Sequence, residues 1–174
     1  MNKASTQVGQ ATLHPSLSFT VNSIGVVRNA QVEPQYINWG SLISQIVIDP
    51  QHVAALEGLQ DYSHLMVIFW MDQVCISKTT HVPQGKHETV PEVGIFACRC
   101  PHRPNPIGVT LVPIIDIQGN TLTVQGLDAV DNTPVLDLKP YTPQYDVVGR
   151  SDVQMRENLL QSIRVPEWVF ELTY

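Results

Sequence analysis

No stretch of this chain stays apolar for the ~18 residues needed to cross a bilayer. The longest apolar run, Leu65 to Met71, has the length of a buried strand. Positive charge is scarce as well: ten Lys and Arg stand against sixteen Asp and Glu, for a net charge of -6. Nonspecific nucleic-acid affinity comes mainly from neutralising phosphates with Lys and Arg, so a general polyanion binder is excluded and any nucleic-acid contact must be a local patch. Cysteine is limited to three residues, and Cys98 and Cys100 stand too close along an extended chain to bridge comfortably. That disfavours a disulfide framework and favours a reducing compartment. A sustained strand–helix alternation is missing, as is any GxGxxG, which disfavours a Rossmann-type nucleotide fold.

What is present is the composition of an ordinary globular protein: 43% hydrophobic and 15% charged residues, with a chain length of 174 that suits one domain with a real core. Most periodic stretches are rich in β-branched and aromatic residues and read as strands: Phe19 to Arg28, Leu42 to Ile48, Ser63 to Met71, Gly94 to Cys98, Gly108 to Ile117 and Thr121 to Val130. Gln118-Gly119-Asn120 is a hairpin signal, and Asp131-Asn132-Thr133-Pro134 is a second turn. Asp49 and Pro50 can open a short helix that Gly58 closes. The fold expected is mainly β, an antiparallel barrel with a few short helices. Residues 1–18 read as a loose polar leader on a cytoplasmic protein, 19–148 as the barrel, and 149–174 as a helix and tail whose Trp168 and Phe170 dock on it. The polar stretch from Ser77 to Pro91 is long for a connection, hence mobile or functional.

Chemistry concentrates in Ala97 to Val112, ACRCPHRPNPIGVTLV. Cys98, Cys100 and His102 alternate, yet zinc needs a fourth ligand at suitable spacing and Cys75 is only a loose one, so small apolar strand residues account better for the thiols and no metal is expected. Pro104 and Pro106 stiffen the loop and bias Arg103 and Asn105 toward extended geometry. A stiff loop holds polar groups without entropy loss on binding: Arg103 can grip a carboxylate or phosphate, Asn105 can donate and accept, and Gly108 allows close approach. The bland alternative is a proline-rich connection with solvent-facing arginines. Downstream, Asp128, Asp131 and Asp137 flank a turn whose backbone groups could read a base edge, although aspartates at hairpins are usually structural. Asp61 and His64 are ambiguous in the same way.

RPNPIG preceded by FACR, with LEGLQDYSHLMVIFW upstream and LDAVDNTPVLDLKPY downstream, closely resembles the TrmO (YaeB-like) family of S-adenosylmethionine-dependent tRNA methyltransferases, in collinear order from about Ser23 to Tyr145. The resemblance implies a single-sheeted β-barrel, a homodimer with the methyl donor near the subunit interface, and N6-methylation of threonylcarbamoyladenosine at tRNA position 37. Carried over by motif, S-adenosylmethionine would meet Asp72, Gln73, Arg99, Val109, Asp131, Asn132, Thr133 and Pro134. Asp72 stands where the family has histidine, and Asn132 where it has glycine; asparagine tolerates left-handed backbone, so the turn is expected to survive. Asp131, Asn105 and Arg103 are the catalytic expectations: the last two would shape the acceptor pocket, and Asp131 or Asp72 would take a proton. A transient anticodon-loop contact is expected at Arg99, Arg103, Lys139, Lys78 and Lys86, with no membrane partner. The alternatives are a methyltransferase for another RNA or small molecule, and a non-catalytic S-adenosylmethionine-binding module.

Overall fold

The computed structural model describes residues 17–34, 38–146 and 166–172. The expected leader up to Ser16 and the expected helix of the C-terminal tail lie outside them. Six antiparallel strands close into one barrel in the order β1 (Gly25–Arg28), β2 (Ile43–Ile48), β7 (Thr121–Gln125), β6 (Ile107–Gln118), β3 (His64–Trp70), β8 (Pro134–Pro140). Two short strands, β4 (Thr80–His81) and β5 (Val93–Gly94), pair in a separate ribbon.

Alternation builds the interior, because successive side chains of a strand point to opposite faces. Leu65, Val67 and Phe69 of β3, Ile46 and Ile48 of β2, Leu122 and Val124 of β7, Val112 of β6 and Val135 of β8 form one buried core. Close approach is built in at Gly108, where an added Cβ would lie 2.3 Å from the Phe69 ring. The Gln118–Asn120 stretch turns as expected, with Gly119 at φ 60°.

Several expectations need correction. The strand expected from Phe19 begins only at Gly25; Leu17, Phe19 and Val21 alternate but lie exposed, since β1 already has its two neighbours in β2 and β8. Thr121–Gln125 ends short of Val130, leaving Gly126 to Val130 as a crossing segment. Gly94 to Cys98 is not a strand: β5 stops at Gly94 and Ile95–Ala97 forms a 3-10 turn. Arg103 causes this locally, since its Nη1 donates to the carbonyls of Ile95 (3.1 Å) and Cys98 (2.6 Å) and draws both into one bend. Conversely β8 was not expected; its Pro134 opens the strand, a position that needs no ladder N–H.

The helix after Asp49 is of the 3-10 type, Pro50–Leu56, and Asp49 makes no side-chain cap. Gly58 does take the left-handed conformation foreseen for the exit, φ 86°. The Ser77 to Pro91 stretch is folded, not a bare loop: Pro83 and Val90 are buried, and Thr80 Oγ1 donates to Glu92 Oε1 at 2.7 Å. In the tail, Trp168 is half-buried while Phe170 is exposed, so of the two aromatics Phe170 does not dock. No described helix is long and apolar enough to cross a membrane.

Candidate functional site

Register decides where the chemistry goes. β1, β3 and β7 end, and β2, β6 and β8 begin, at the same rim, as the pairs Arg28↔Gln45, Ile43↔Gln125, Trp70↔Ile107 and Val26↔Pro134 show. Asp72-Gln73, the Arg99 to Asn105 loop, Val109 and the Asp131 to Pro134 turn are therefore all attached to one end of the barrel. At the opposite end an open cleft of about 670 Å³ runs between the 50–62 segment and β8, and none of these residues lines it.

On one side of the rim, the exposed Arg99 donates from Nη2 to the Val109 carbonyl at 2.6 Å, fastening the ACR segment to β6. The next residue, Thr110, gives its hydroxyl to Asp128 Oδ1. The residue as a whole is exposed, but the crowding around its carboxyl raises the pKa above the ordinary aspartate range; the Thr110 hydroxyl, the residue's own amide and the Arg99 guanidinium pull it part-way back. Arg103 is half-buried, spans the two carbonyls of its bend and stands 5.8 Å from the centroid of the exposed Phe96 ring. Asn105 is exposed, and its carbonyl accepts from Ile107 N at 2.8 Å.

On the other side, Asn132 has φ 67°, so asparagine does hold the left-handed turn. Its amide donates to Val27 O (2.8 Å), and its side chain donates to Asp131 Oδ2 (2.6 Å) and accepts from Arg28. Asp131 Oδ1 accepts from the Asn29 amide at 3.1 Å, and Arg28 lies 3.6 Å from Oδ2. Thr133 is buried, with its carbonyl accepting from Val27 N. Asn29 reaches further inward and satisfies the buried Ser44 hydroxyl at 3.0 Å. Asp131 is thus the hub of a turn clamp between β8 and β1.

Asp72 and Gln73 lie exposed between these two sides. Met71 N donates to Pro106 O (2.8 Å), and Gln73 Nε2 lies 3.5 Å from Val32 O. Lys139 is not at this rim. It pairs with Asp137 at 2.7 Å and lies opposite Met66, part-way toward the far end. Cys98 and Cys100 pack with Ile95 in a small satellite core, where burial and the neighbouring Cys98 push the Cys100 thiol up to about 12. Among the described residues no group of three or more His, Cys, Asp or Glu could hold a metal ion. Nearby, His81 lies 5.2 Å from His102, and its pKa is lowered by burial and by Lys78.

Sequence reasoning did not single out Arg28 and Asn29, which bind the turn, or Thr110, which binds Asp128. The signal for the first pair, a polar step at a strand's end, is common; that for Thr110 is a hydroxyl in an otherwise apolar strand.

Residues 28–147 match the family model described as the tRNA-methyltransferase O N-terminal domain. The chain is 36% identical over 135 residues to a protein of Archaeoglobus fulgidus named S-adenosyl-L-methionine-binding protein, covering 75% of this chain and 95% of that one. It is 36% identical over 103 residues to the tRNA (adenine(37)-N6)-methyltransferase of Mus musculus, covering 56% of this chain and 22% of that one. A crystal structure of TrmO from Pseudomonas aeruginosa superposes with a TM-score of 0.60 at 30% identity, over 78% of this chain and 62% of that one.

Proposed function

The chain belongs to the tRNA-methyltransferase O family, and we propose that it binds S-adenosylmethionine at the barrel rim and methylates N6 of an adenosine in tRNA. The observation that supports this is the gathering at one rim of every stretch that carries the family resemblance to the donor site. The chemistry of the rim fits the donor: an exposed guanidinium, Arg99, for its carboxylate; apolar Val109 and Ile107 for its adenine; and the clamped Asp131 to Pro134 turn as a rigid wall. When bound, S-adenosylmethionine supplies an electrophilic methyl group. The protein's task is alignment and exclusion of water, worth about 7–11 kcal/mol of a barrier where the geometry is right.

Arg103 holds the stiff loop in shape beside Phe96, and the exposed Asn105 of the same loop would meet the acceptor. Arg99, Arg103, Lys78 and Lys86 would supply local positive charge for tRNA phosphates in an otherwise acidic chain. The outer faces of β3 and β6 carry an apolar stripe, Met66, Ile68 and Trp70 paired with Leu111, Val109 and Ile107, of which the β6 residues are exposed. A second copy of the chain would cover it, placing the donor near the interface. Buried free thiols suit a cytoplasmic location.

The experiment is calorimetric titration with S-adenosylmethionine, then in vitro reaction with tRNA and mass spectrometry of its nucleosides. Tight binding and a 14 Da gain on threonylcarbamoyladenosine (about one methylene, as methyl replaces hydrogen) are expected, with Arg99→Ala losing about tenfold in donor affinity for want of one charged hydrogen bond. Because the Archaeoglobus fulgidus relative is named as a binding protein and is covered almost whole, a second reading is donor binding without transfer. Binding with no modified nucleoside would select it.

A further inference from the structure

The family resemblance leaves open which group takes the proton that adenine N6 must lose. Four aspartates are candidates, and hydrogen bonding separates them. Asp131 is taken up by the Asn29 amide, Asn132 and Arg28. Asp137 accepts from the Leu138 amide at 2.9 Å and pairs with Lys139, away from the rim. Asp72 is exposed in the turn after β3, and among the described residues no hydrogen bond orients its carboxylate. Asp128 alone is joined to the strand that carries Val109, through the hydroxyl of Thr110, and faces Arg99, which is bonded to Val109 itself.

We propose that Asp128, oriented by Thr110 beside the Arg99–Val109 contact, is the proton acceptor of methyl transfer. This rests on the methyltransferase reading and names a residue for it. Adenine N6 forms its bond to the methyl carbon as the carbon–sulfur bond breaks, sulfur keeps the electron pair, and the N6 proton passes to the Asp128 carboxylate and then to solvent. The Thr110 hydroxyl donates to Oδ1, so it fixes the carboxylate's orientation and leaves Oδ2 for the incoming proton. Arg99 is the cation facing the group from the ACR segment, and Thr110 is the polar group facing it from β6. Desolvation raises the carboxyl above the ordinary aspartate range, which makes it a stronger base than a free aspartate, and the Arg99 guanidinium opposes part of that shift.

The test uses the full chain, with Asp128→Asn, which preserves the acceptor for Thr110, and Asp137→Asn as a control. Donor affinity of Asp128→Asn by calorimetry should remain native and its melting temperature should not fall, while kcat on tRNA drops by about 100-fold or more. Asp137→Asn should keep its kcat. Carbon-detected NMR titration of the ligand-free protein should place the Asp128 carboxyl above the ordinary aspartate range, and the wild-type rate should fall on the acid side at the same pH. Asp128→Asn turning over at the wild-type kcat overturns the proposal while leaving the methyltransferase reading intact. A wild-type protein that binds donor but methylates no adenosine overturns both. Should Asp128→Asn fail to fold, Thr110→Val decides: loss of the hydroxyl should move the acid limb to higher pH, and an unmoved limb overturns the assignment.

Discussion

Asn132 shows what one residue at the rim carries. A left-handed backbone costs an L-residue about 1–2 kcal/mol, which asparagine offsets by local hydrogen bonds, here to Asp131 and Arg28. Asn132→Ala is expected to lower stability by about 1–2 kcal/mol in urea unfolding, whereas Asn132→Gly relieves the strain as it loses the bonds and should fall within about 0.5 kcal/mol of the parent. Asp128 gives a prediction of the opposite sign. Its folded pKa is raised, so the folded state binds the proton more tightly than the unfolded chain does. The stability this gives is present at low pH and is lost as pH rises through the folded value. At neutral pH the charged carboxyl therefore opposes folding. Asp128→Asn should melt higher than the parent near pH 7 by scanning calorimetry, and the gain should vanish below the ordinary carboxylate range, where both side chains are neutral.

Among elements, β6 is the one on which site and core meet. Its Gly108 faces the Phe69 ring across the β3 register, and its next two residues carry the Arg99 and Asp128 contacts. Gly108→Ala must displace a buried ring, an overpacking that costs about 1–3 kcal/mol. Its melting temperature should drop, and Phe69→Leu in the same chain should restore part of the loss. β6 and β3 were legible because apolar, β-branched residues alternate along them with a clear beginning and end. β8 was not: Pro134, Asp137, Lys139 and Pro140 read as turn and loop, and only the packing of Val135 and Leu138 against β3 makes the segment a strand. The Gly94 to Cys98 error has the converse origin. Its apolar residues are those of a satellite core, and the bend is imposed by Arg103 from outside the segment. Motif reading located the rim segments, but which aspartate is held and which is left available depends on partners more than a hundred residues away, Asn29 for Asp131 among them.

For the whole molecule, closure of the sheet is what makes one site out of segments scattered from Arg28 to Pro134. It also leaves a seam. β1 and β8 meet through only two register pairs, Gly25↔Val135 and Val26↔Pro134, more than a hundred residues apart in sequence, continued past the strand ends by Val27 N to Thr133 O and Asn132 N to Val27 O. Contacts so distant along the chain are slow to form and bring little until the loop is closed. The ring should therefore zip from its local hairpins, with this seam the last to shut and the first to open, which hydrogen exchange checks. Because the proposed donor site includes the turn that buckles it, a bound donor would act as a rivet. Hydrogen exchange at the Val27 and Asn132 amides should slow on addition of S-adenosylmethionine, while exchange in the β6–β7 hairpin at the far end changes little. Ligand binding and ring closure would then be one equilibrium, so that the scarcity of the donor would be felt as an opening of the barrel itself.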